Sequence, residues 1–336
     1  MRILVTGGAG FIGSEFVRSA LRGELPGSEG AHVTVLDKLT YSGNLENLAP
    51  VAAHPRFRFV TGDTCDARLV DDVVAGHDVI VHFAAESHVD RSIDTATQFV
   101  LSNVLGTQVM LEAALRHRVA RFVHVSTDEV YGSIDSGSWT EDAPLAPNVP
   151  YAAAKAGSDL LALAWHRTRG LDVVVTRCTN NYGHYQFPEK VIPLFVTNLL
   201  DGLRVPLYGD GGNRRDWLHV SDHCRAIQMV LNGGRPGEVY HIGGGTELSN
   251  RQLTERLLAA CGADWDVVDH VPDRQGHDRR YSLDITKIRE ELGYEPRVRF
   301  EDGLAATVEW YRRNRSWWEP LKPASALSGP AVPAGT

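Results

Sequence analysis

The chain has 336 residues, of which 43% are hydrophobic and 23% charged, with a formal net charge of −8 at pH 7. That length fits one large or two modest domains with a sizeable core, and the dispersed negative charge argues against nucleic acid while leaving room for a few cations around a phosphate. No run reaches the roughly 18 apolar residues of a membrane span. The four cysteines (Cys65, Cys178, Cys224 and Cys261) are scattered without metal-ligand spacing, so a reduced, cytoplasmic, metal-free protein without an export signal is expected.

The elements follow in order. "RILVTG" predicts a strand, "FIGSEFVRSALRG" a helix, and "HVTVLD", "RFRFVTGD" and "DVIVHFAA" further strands. A long amphipathic stretch near residues 97–118 comes next. It is followed by the strand "RFVHVS", the helix "YAAAKAGSDLLALAWHRT" and the strand "DVVVTR". Continuous apolar strands separated by helices predict an α/β fold with a doubly wound parallel sheet of the Rossmann type. After about residue 177 the texture turns polar and turn-rich, which predicts a smaller mixed α/β substrate domain. "HVSDHCRAIQMVLNG" and "GEVYHIGG" read as a helix and strand returning to the first domain. The expected division is 1–176 plus about 218–242 for the cofactor domain, 177–217 plus about 243–321 for the substrate domain, and 322–336 as a disordered tail.

"VTGGAGFIG" places Gly7, Gly10 and Gly13 between a strand and a helix, where glycines allow a tight turn and close approach to a pyrophosphate. Asp37 ends the next strand at the distance of a ribose-binding acid, which favours NAD over NADP, although the cation of Lys38 follows it directly. Tyr151 and Lys155 stand four residues apart on one helix face. An adjacent ammonium and a cationic nicotinamide would both favour the phenolate, and such a tyrosine can take an alcohol proton as hydride leaves. In "STDEVYG", Asp128 and Glu129 place two carboxylates side by side at a strand end.

The glycine start and the tyrosine–lysine pair resemble the extended short-chain dehydrogenases/reductases. "LDKLTYSGN", "HFAAESHVDRSI", "STDEVYGS", "TRCTNNYG", "QFPEK", "YGDGGNRRDWLHV" and "DRQGHDRRYSLD" resemble, more narrowly, the dTDP-glucose 4,6-dehydratase family, from residue 1 to about "WWEPLK". The resemblance implies an NAD-dependent lyase acting on dTDP-glucose. In that family a tyrosine and NAD oxidise C4 of the sugar, a carboxylate removes the C5 proton, a carboxylic acid protonates the departing C6 hydroxyl, and hydride returns to C6. It makes Glu129 the base, Asp128 the acid and Thr127 a hydrogen-bonding partner of the C4 oxygen, alongside Tyr151 and Lys155. Two acids with pKa values pushed apart suit an elimination.

The resemblance also assigns the cofactor to Phe11, Ile12, Leu39, Thr40, Asp63, Thr64, Phe83, Ala84, Ala85, Ser87, Ser102 and Asn181 besides the glycines, Asp37 and Lys38. The substrate falls to Ser87, Thr127, Asn180, Glu189, Lys190, Val191, Pro206, Tyr208, Arg215, Asn250, Arg274 and His277. Thr64, Ala154 and His184 depart from the residues usual in the family. Other readings stay open: a 4-epimerase, which needs no acid–base pair, a UDP-glucuronate decarboxylase, a GDP-mannose dehydratase, or an inactive NAD-binding protein. The broad apolar faces near 97–118 and 151–168 imply, with the family, a homodimer through a four-helix bundle.

Overall fold

The computed structural model describes residues 1–274 and 276–322. Twelve strands occur among them. The first six are β1 (Arg2–Thr6), β2 (His32–Asp37), β3 (Phe57–Thr61), β4 (Val79–His82), β5 (Arg121–Thr127) and β6 (Val173–Cys178). The remainder are β7 (Asn180–Tyr182), β8 (Val205–Tyr208), β9 (Arg214–His219), β10 (Val239–Ile242), β11 (Glu247–Ser249) and β12 (Val268–Val271). The principal sheet runs β3-β2-β1-β4-β5-β6-β10, parallel throughout. Strand order reverses direction between β1 and β4, and the crevice beyond the strand carboxyl ends at such a point is where open α/β sheets bind ligands.

Alternation along β1 shows why its run is apolar throughout. Ile3 and Val5 face one layer with Phe16, Val81 and Ile227, whereas Leu4 faces the other with Ile80, Met110, Phe122 and Ala162. Helices Phe11–Arg22 and Val220–Gly233 pack together over the first face. Helices Gly106–Arg116 and Pro150–Arg169 cover the second. The expected long stretch near 97–118 is helical from Ala96 to Arg116, with a π-helical segment at Val100–Leu105.

Strand β6 continues to Cys178, two residues past the expected end of the first cofactor segment, and pairs Arg177 with Ser126 and Cys178 with Thr127. The chain then leaves the sheet and returns only as β10, which adds to the far side of β6. Between and after these crossings, β9 pairs with β7 in parallel and with β11 antiparallel, and β8 pairs with β12. A separate core of Tyr182, Phe195, Trp217, Leu257, Phe300, Tyr311 and Trp318 holds this region together. Its last residues reach back to the start of the chain, where Trp317 donates to Asn47 Oδ1 at 3.0 Å. Of the tail expected over 322–336, Lys322 is held, donating to Asp201 Oδ2 at 2.6 Å. Residues 323–336 lie outside the described residues.

Candidate active site

The crevice begins where β1 ends. Gly7 has φ +68, and a Cβ there would lie 2.7 Å from the backbone nitrogen of Ala84. At Gly13 a Cβ would stand 2.3 Å from the carbonyl oxygen of Gly7. Backbone therefore meets backbone at the first turn of helix Phe11–Arg22, with no side chain between. Gly10, Phe11 and Ile12 line the same wall. At the tip of β2, Asp37 accepts hydrogen bonds from the backbone nitrogens of Ala9 (2.9 Å) and Leu39 (2.8 Å). Burial raises its pKa against the pull of those bonds.

Lys38, the cation that tempered the expected NAD preference, is tied down. Its ammonium donates to Ser102 Oγ at 3.0 Å and lies 3.4 Å from Asp63 Oδ2. Asp63 thus holds Lys38 and does not itself line the crevice, and Leu39 likewise acts through its backbone, at φ 55. Thr40, Thr64, Phe83, Ala84, Ala85, Ser87, Ser102 and Asn181 all line the cavity.

The reacting groups enter from β5 and the helix behind it. Thr127 closes β5, and residues Asp128–Tyr131 form one 3-10 turn whose Glu129 nitrogen donates to Thr127 Oγ1 at 3.3 Å. Asp128 is 2% exposed, receives the Thr127 hydroxyl at 3.3 Å on one oxygen, and leaves the other buried without a partner. Burial, then the neighbouring Glu129 charge, pushes its pKa well above the usual carboxylate range. Glu129 is also raised by burial, but Arg215, Lys190 and Arg274 pull it back. Both acids are raised, Asp128 further by the adjacent Glu129, while Lys190 and Arg274 join Arg215 in favouring the charge of Glu129; the unequal surroundings lie in the direction an elimination needs.

Tyr151 enters on helix Pro150–Arg169, whose proline occupies a first-turn position that lacks a helical acceptor in any case. Its pKa is pushed well above the usual tyrosine value by burial and by the charges of Glu129 and Asp128, with the Thr127 hydroxyl opposing. The Lys155 ammonium donates to the Val125 carbonyl of β5 at 2.7 Å. Burial lowers the pKa of Lys155 itself.

At the other end, Asn180, Glu189 and Lys190 line the crevice. Lys190 donates to the Ser87 carbonyl at 2.9 Å, and Glu189 faces Arg91 at 3.3 Å. Val191 opens helix Val191–Leu200 and points no group into the cavity lining. Arg215 is buried, donates to the Asp278 carbonyl at 2.9 Å and lies 4.2 Å over the Tyr281 ring. Arg274 lies 5.5 Å over the Tyr208 ring and 3.4 Å from Asp90, and His277 pairs with Asp273 at 2.6 Å beside that ring. Pro206 lies in β8 two residues before Tyr208, and Asn250 is tied to Asn213 through its backbone nitrogen at 2.8 Å. None of these six residues, Pro206, Tyr208, Arg215, Asn250, Arg274 and His277, lines the crevice wall itself; Tyr208, Arg274 and His277 lie together.

Sequence reasoning missed several wall residues, among them Ser126, Cys178, Thr179, Gln186 and Phe187. Cys178 and Thr179 stand at and just after the carboxyl end of β6, and Ser126 near that of β5, so the rule that parallel sheets bind at that edge was a usable signal. Gln186 and Phe187 are delivered by a loop and had none.

A parallel sheet with a glycine turn, a buried tyrosine–lysine pair and two unlike carboxyls defines a nucleotide-sugar-modifying enzyme of the extended short-chain dehydrogenase/reductase type. The chain belongs to the GDP-mannose 4,6 dehydratase family, whose model matches residues 4–307. It is 72% identical over 335 residues to a dTDP-glucose 4,6-dehydratase of Streptomyces niveus, covering 100% of both chains. A dTDP-glucose 4,6-dehydratase of an Actinoplanes species is 66% identical over 95% of this chain and 100% of its own. The crystal structure of the dTDP-glucose 4,6-dehydratase DesIV from Streptomyces venezuelae, with NAD and TYD bound, superposes with a TM-score of 0.95. It is 66% identical and matches 96% of this chain and 100% of its own.

Proposed function

We propose that this chain is an NAD-dependent hydro-lyase that converts dTDP-D-glucose to dTDP-4-keto-6-deoxy-D-glucose and water. The observation that carries the reading is the pair of adjacent carboxyls in one crevice with Tyr151, Asp128 raised by burial and by Glu129, and Glu129 pulled back by three cations. An epimerase needs no such pair.

The residues fit the dinucleotide. Glycines stand where a Cβ would block the backbone, Asp37 lines the crevice at the tip of β2, and the buried hydroxyls of Ser126 and Thr179 have no protein partner in the wall. Gly7, Gly10, Phe11, Ile12 and Gly13 would hold the pyrophosphate, with Asp37, Leu39 and Thr40 beside a ribose. Asp63 would act by restraining Lys38. Thr64 and Ser102 would lie near the adenine, and Phe83, Ala84, Ala85, Ser87 and Asn181 nearer the nicotinamide. When bound, NAD takes the C4 hydrogen of the sugar with its electron pair and gives it back at C6.

The protein handles the protons. The Tyr151 oxygen takes the proton of the C4 hydroxyl, with Thr127 bonding the same oxygen. Burial and nearby carboxyls raise its pKa in the chain alone, so cationic charge, from the cofactor ring and from the Lys155 ammonium on the same helix, would favour the phenolate. The C4 ketone acidifies C5, and Glu129 removes that proton. Asp128 then protonates the C6 hydroxyl, which leaves as water. Glu129 returns its proton to C5, and the proton gathered by Tyr151 replaces the one Asp128 gave, so the catalyst is restored.

Arg215, Lys190 and Arg274 supply cations for the diphosphate. Tyr208, with Pro206, Asn250 and His277, gives a face for the base, and Asn180 and Glu189 complete the sugar end. We assign this surface to residues 177–217 and 243–321, apart from the final residues of β6, and the cofactor to the remainder. The exposed apolar residues Val100, Leu101 and Leu105, with Leu160 on the neighbouring helix, support a homodimer in which these helices pair into a four-helix bundle. Free cysteines suit the reducing cytoplasm, and no described helix is long and apolar enough to cross a membrane.

The test is incubation with dTDP-glucose deuterated at C4, without added reductant. Loss of one water with deuterium moved to C6 is the expected result. Unchanged mass with an inverted C4 overturns the dehydratase reading.

A further inference from the structure

Beneath the crevice, five polar side chains are buried without touching it. Asp159 lies four residues after Lys155 on helix Pro150–Arg169, so it hangs below the reacting face of that helix. Arg177 projects from β6 and donates through Nε to Asp159 Oδ2 at 2.9 Å. His124 Nε2 stands 3.2 Å from the other Asp159 oxygen. Through Nη1, Arg177 also donates to the hydroxyl of Tyr131, and that hydroxyl lies 2.7 Å from His241 Nε2. His241 Nδ1 is 3.0 Å from the Asp284 carbonyl.

The chemistry of these groups gives the chain one direction. A guanidinium only donates, so the Tyr131 oxygen accepts from Arg177 and must give its own hydrogen to His241 Nε2. That histidine nitrogen is then bare, and Nδ1 carries the proton to a carbonyl that only accepts. Burial keeps His241 neutral, with its pKa lowered to about 3. In the series from Asp159 through Arg177, Tyr131 and His241 to Asp284, each link thus pairs one donor with one acceptor.

Its two working ends carry the reaction. Asp159 belongs to the helix that presents Tyr151 and Lys155. Tyr131 is the last residue of the 3-10 turn that presents Asp128 and Glu129, and the two elements have no covalent link shorter than the intervening loop. We propose that the buried series Asp159–Arg177–Tyr131–His241 fixes the carboxyl pair against the tyrosine–lysine helix, making Tyr131 a positioning residue for the elimination step. Oxidation at C4 needs Tyr151 on the helix, Thr127 at the end of β5 and the cofactor wall, but neither carboxyl of the turn. Elimination needs Glu129 at C5 and Asp128 at the C6 oxygen while the sugar is still held by Tyr151, and a misplacement of about 1 Å at such a step costs about a hundredfold. A loosened turn should therefore slow the second step and spare the first.

The inference rests on the proposed dehydration, and the test separates the two. Tyr131→Phe keeps the ring, which stacks on Trp139 at 5.8 Å, and removes only the hydroxyl. The expected result is a kcat at least about tenfold lower with KM within about twofold, unchanged bound NAD, and, in a single turnover, accumulation of reduced cofactor that the wild type does not show. Asp159→Asn, at the other end of the series, should give the same accumulation; if it fails to fold, Tyr131→Phe decides alone. A Tyr131→Phe enzyme with kcat within about threefold of wild type, or one slowed without reduced cofactor building up, overturns the inference. A wild-type chain that leaves dTDP-glucose undehydrated overturns the reaction and the inference with it, whereas dehydration by the wild type beside an unimpaired variant overturns the inference alone.

Discussion

The two ends of the crevice are made of different materials. The cofactor end is largely backbone: Gly7 and Gly13 bring main chain against main chain, and Asp37 is fixed by two amide groups on either side of it. The sugar end is largely side chain, with Lys190, Arg215, Arg274 and Glu189 each held by a carbonyl, an aromatic face or an opposite charge from a distant part of the sequence. A backbone site tolerates few changes and accepts one ligand geometry. A site of long charged side chains can be retuned residue by residue, which teaches why one fold can keep its cofactor and change its sugar.

The comparison would break most visibly between the two, at the acids. Asp128→Asn and Glu129→Gln should each lower kcat by about 10²–10⁴ with bound NAD unchanged, read by product formation and by cofactor content. Asp128→Asn should also raise Tm at neutral pH. The sign follows from the raised folded pKa: the native state keeps a proton that the unfolded chain has lost, so wild-type stability falls as pH rises from the ordinary carboxylate value through the folded one. Below that window the variant and wild type should melt alike, and equal Tm at all pH values would contradict the burial argument.

At the backbone end, Gly13→Val must push a side chain into the Gly7 carbonyl, so purified protein should carry no NAD and melt several degrees lower. At the side-chain end, Arg215→Lys keeps the charge and loses the fork. KM for dTDP-glucose should rise about tenfold with NAD content intact, measured by steady-state kinetics. The smallest effect sharpens the cofactor end. Asp63→Asn frees Lys38 from a half-exposed ion pair, and affinity for NADP should improve by no more than about threefold, as exposed pairs are screened.

What the sequence made legible divides along the same line. The glycine turn, Asp37, the acid pair and the Tyr151–Lys155 spacing are local, since each depends on neighbours within one strand–turn–helix unit. So does the parallel sheet, whose strands announce themselves by unbroken apolar runs. Lys155 was found, but its partner was not: the Val125 carbonyl is thirty positions away, and nothing in "YAAAK" points to it. Cys178, Gln186 and Phe187 reach the wall through the register of β6 and the path of one loop. The pairing of β9 with both β7 and β11, and the buried series from Asp159 to His241, join segments up to a hundred or more residues apart. Side-chain spacing carries no trace of such encounters.

The late return of β10 has a consequence for the chain on the ribosome. Once Cys178 has emerged, six strands of the principal sheet can pair, but β6 must wait with a bare edge until Val239–Ile242 arrive. At about 5–20 residues per second, the intervening segment takes roughly 3–12 s to synthesise. For that interval the nascent protein presents an apolar strand whose amides and carbonyls seek any partner. Slow codons or chaperone shortage between those points should therefore harm yield more than the same delay placed after Ile242.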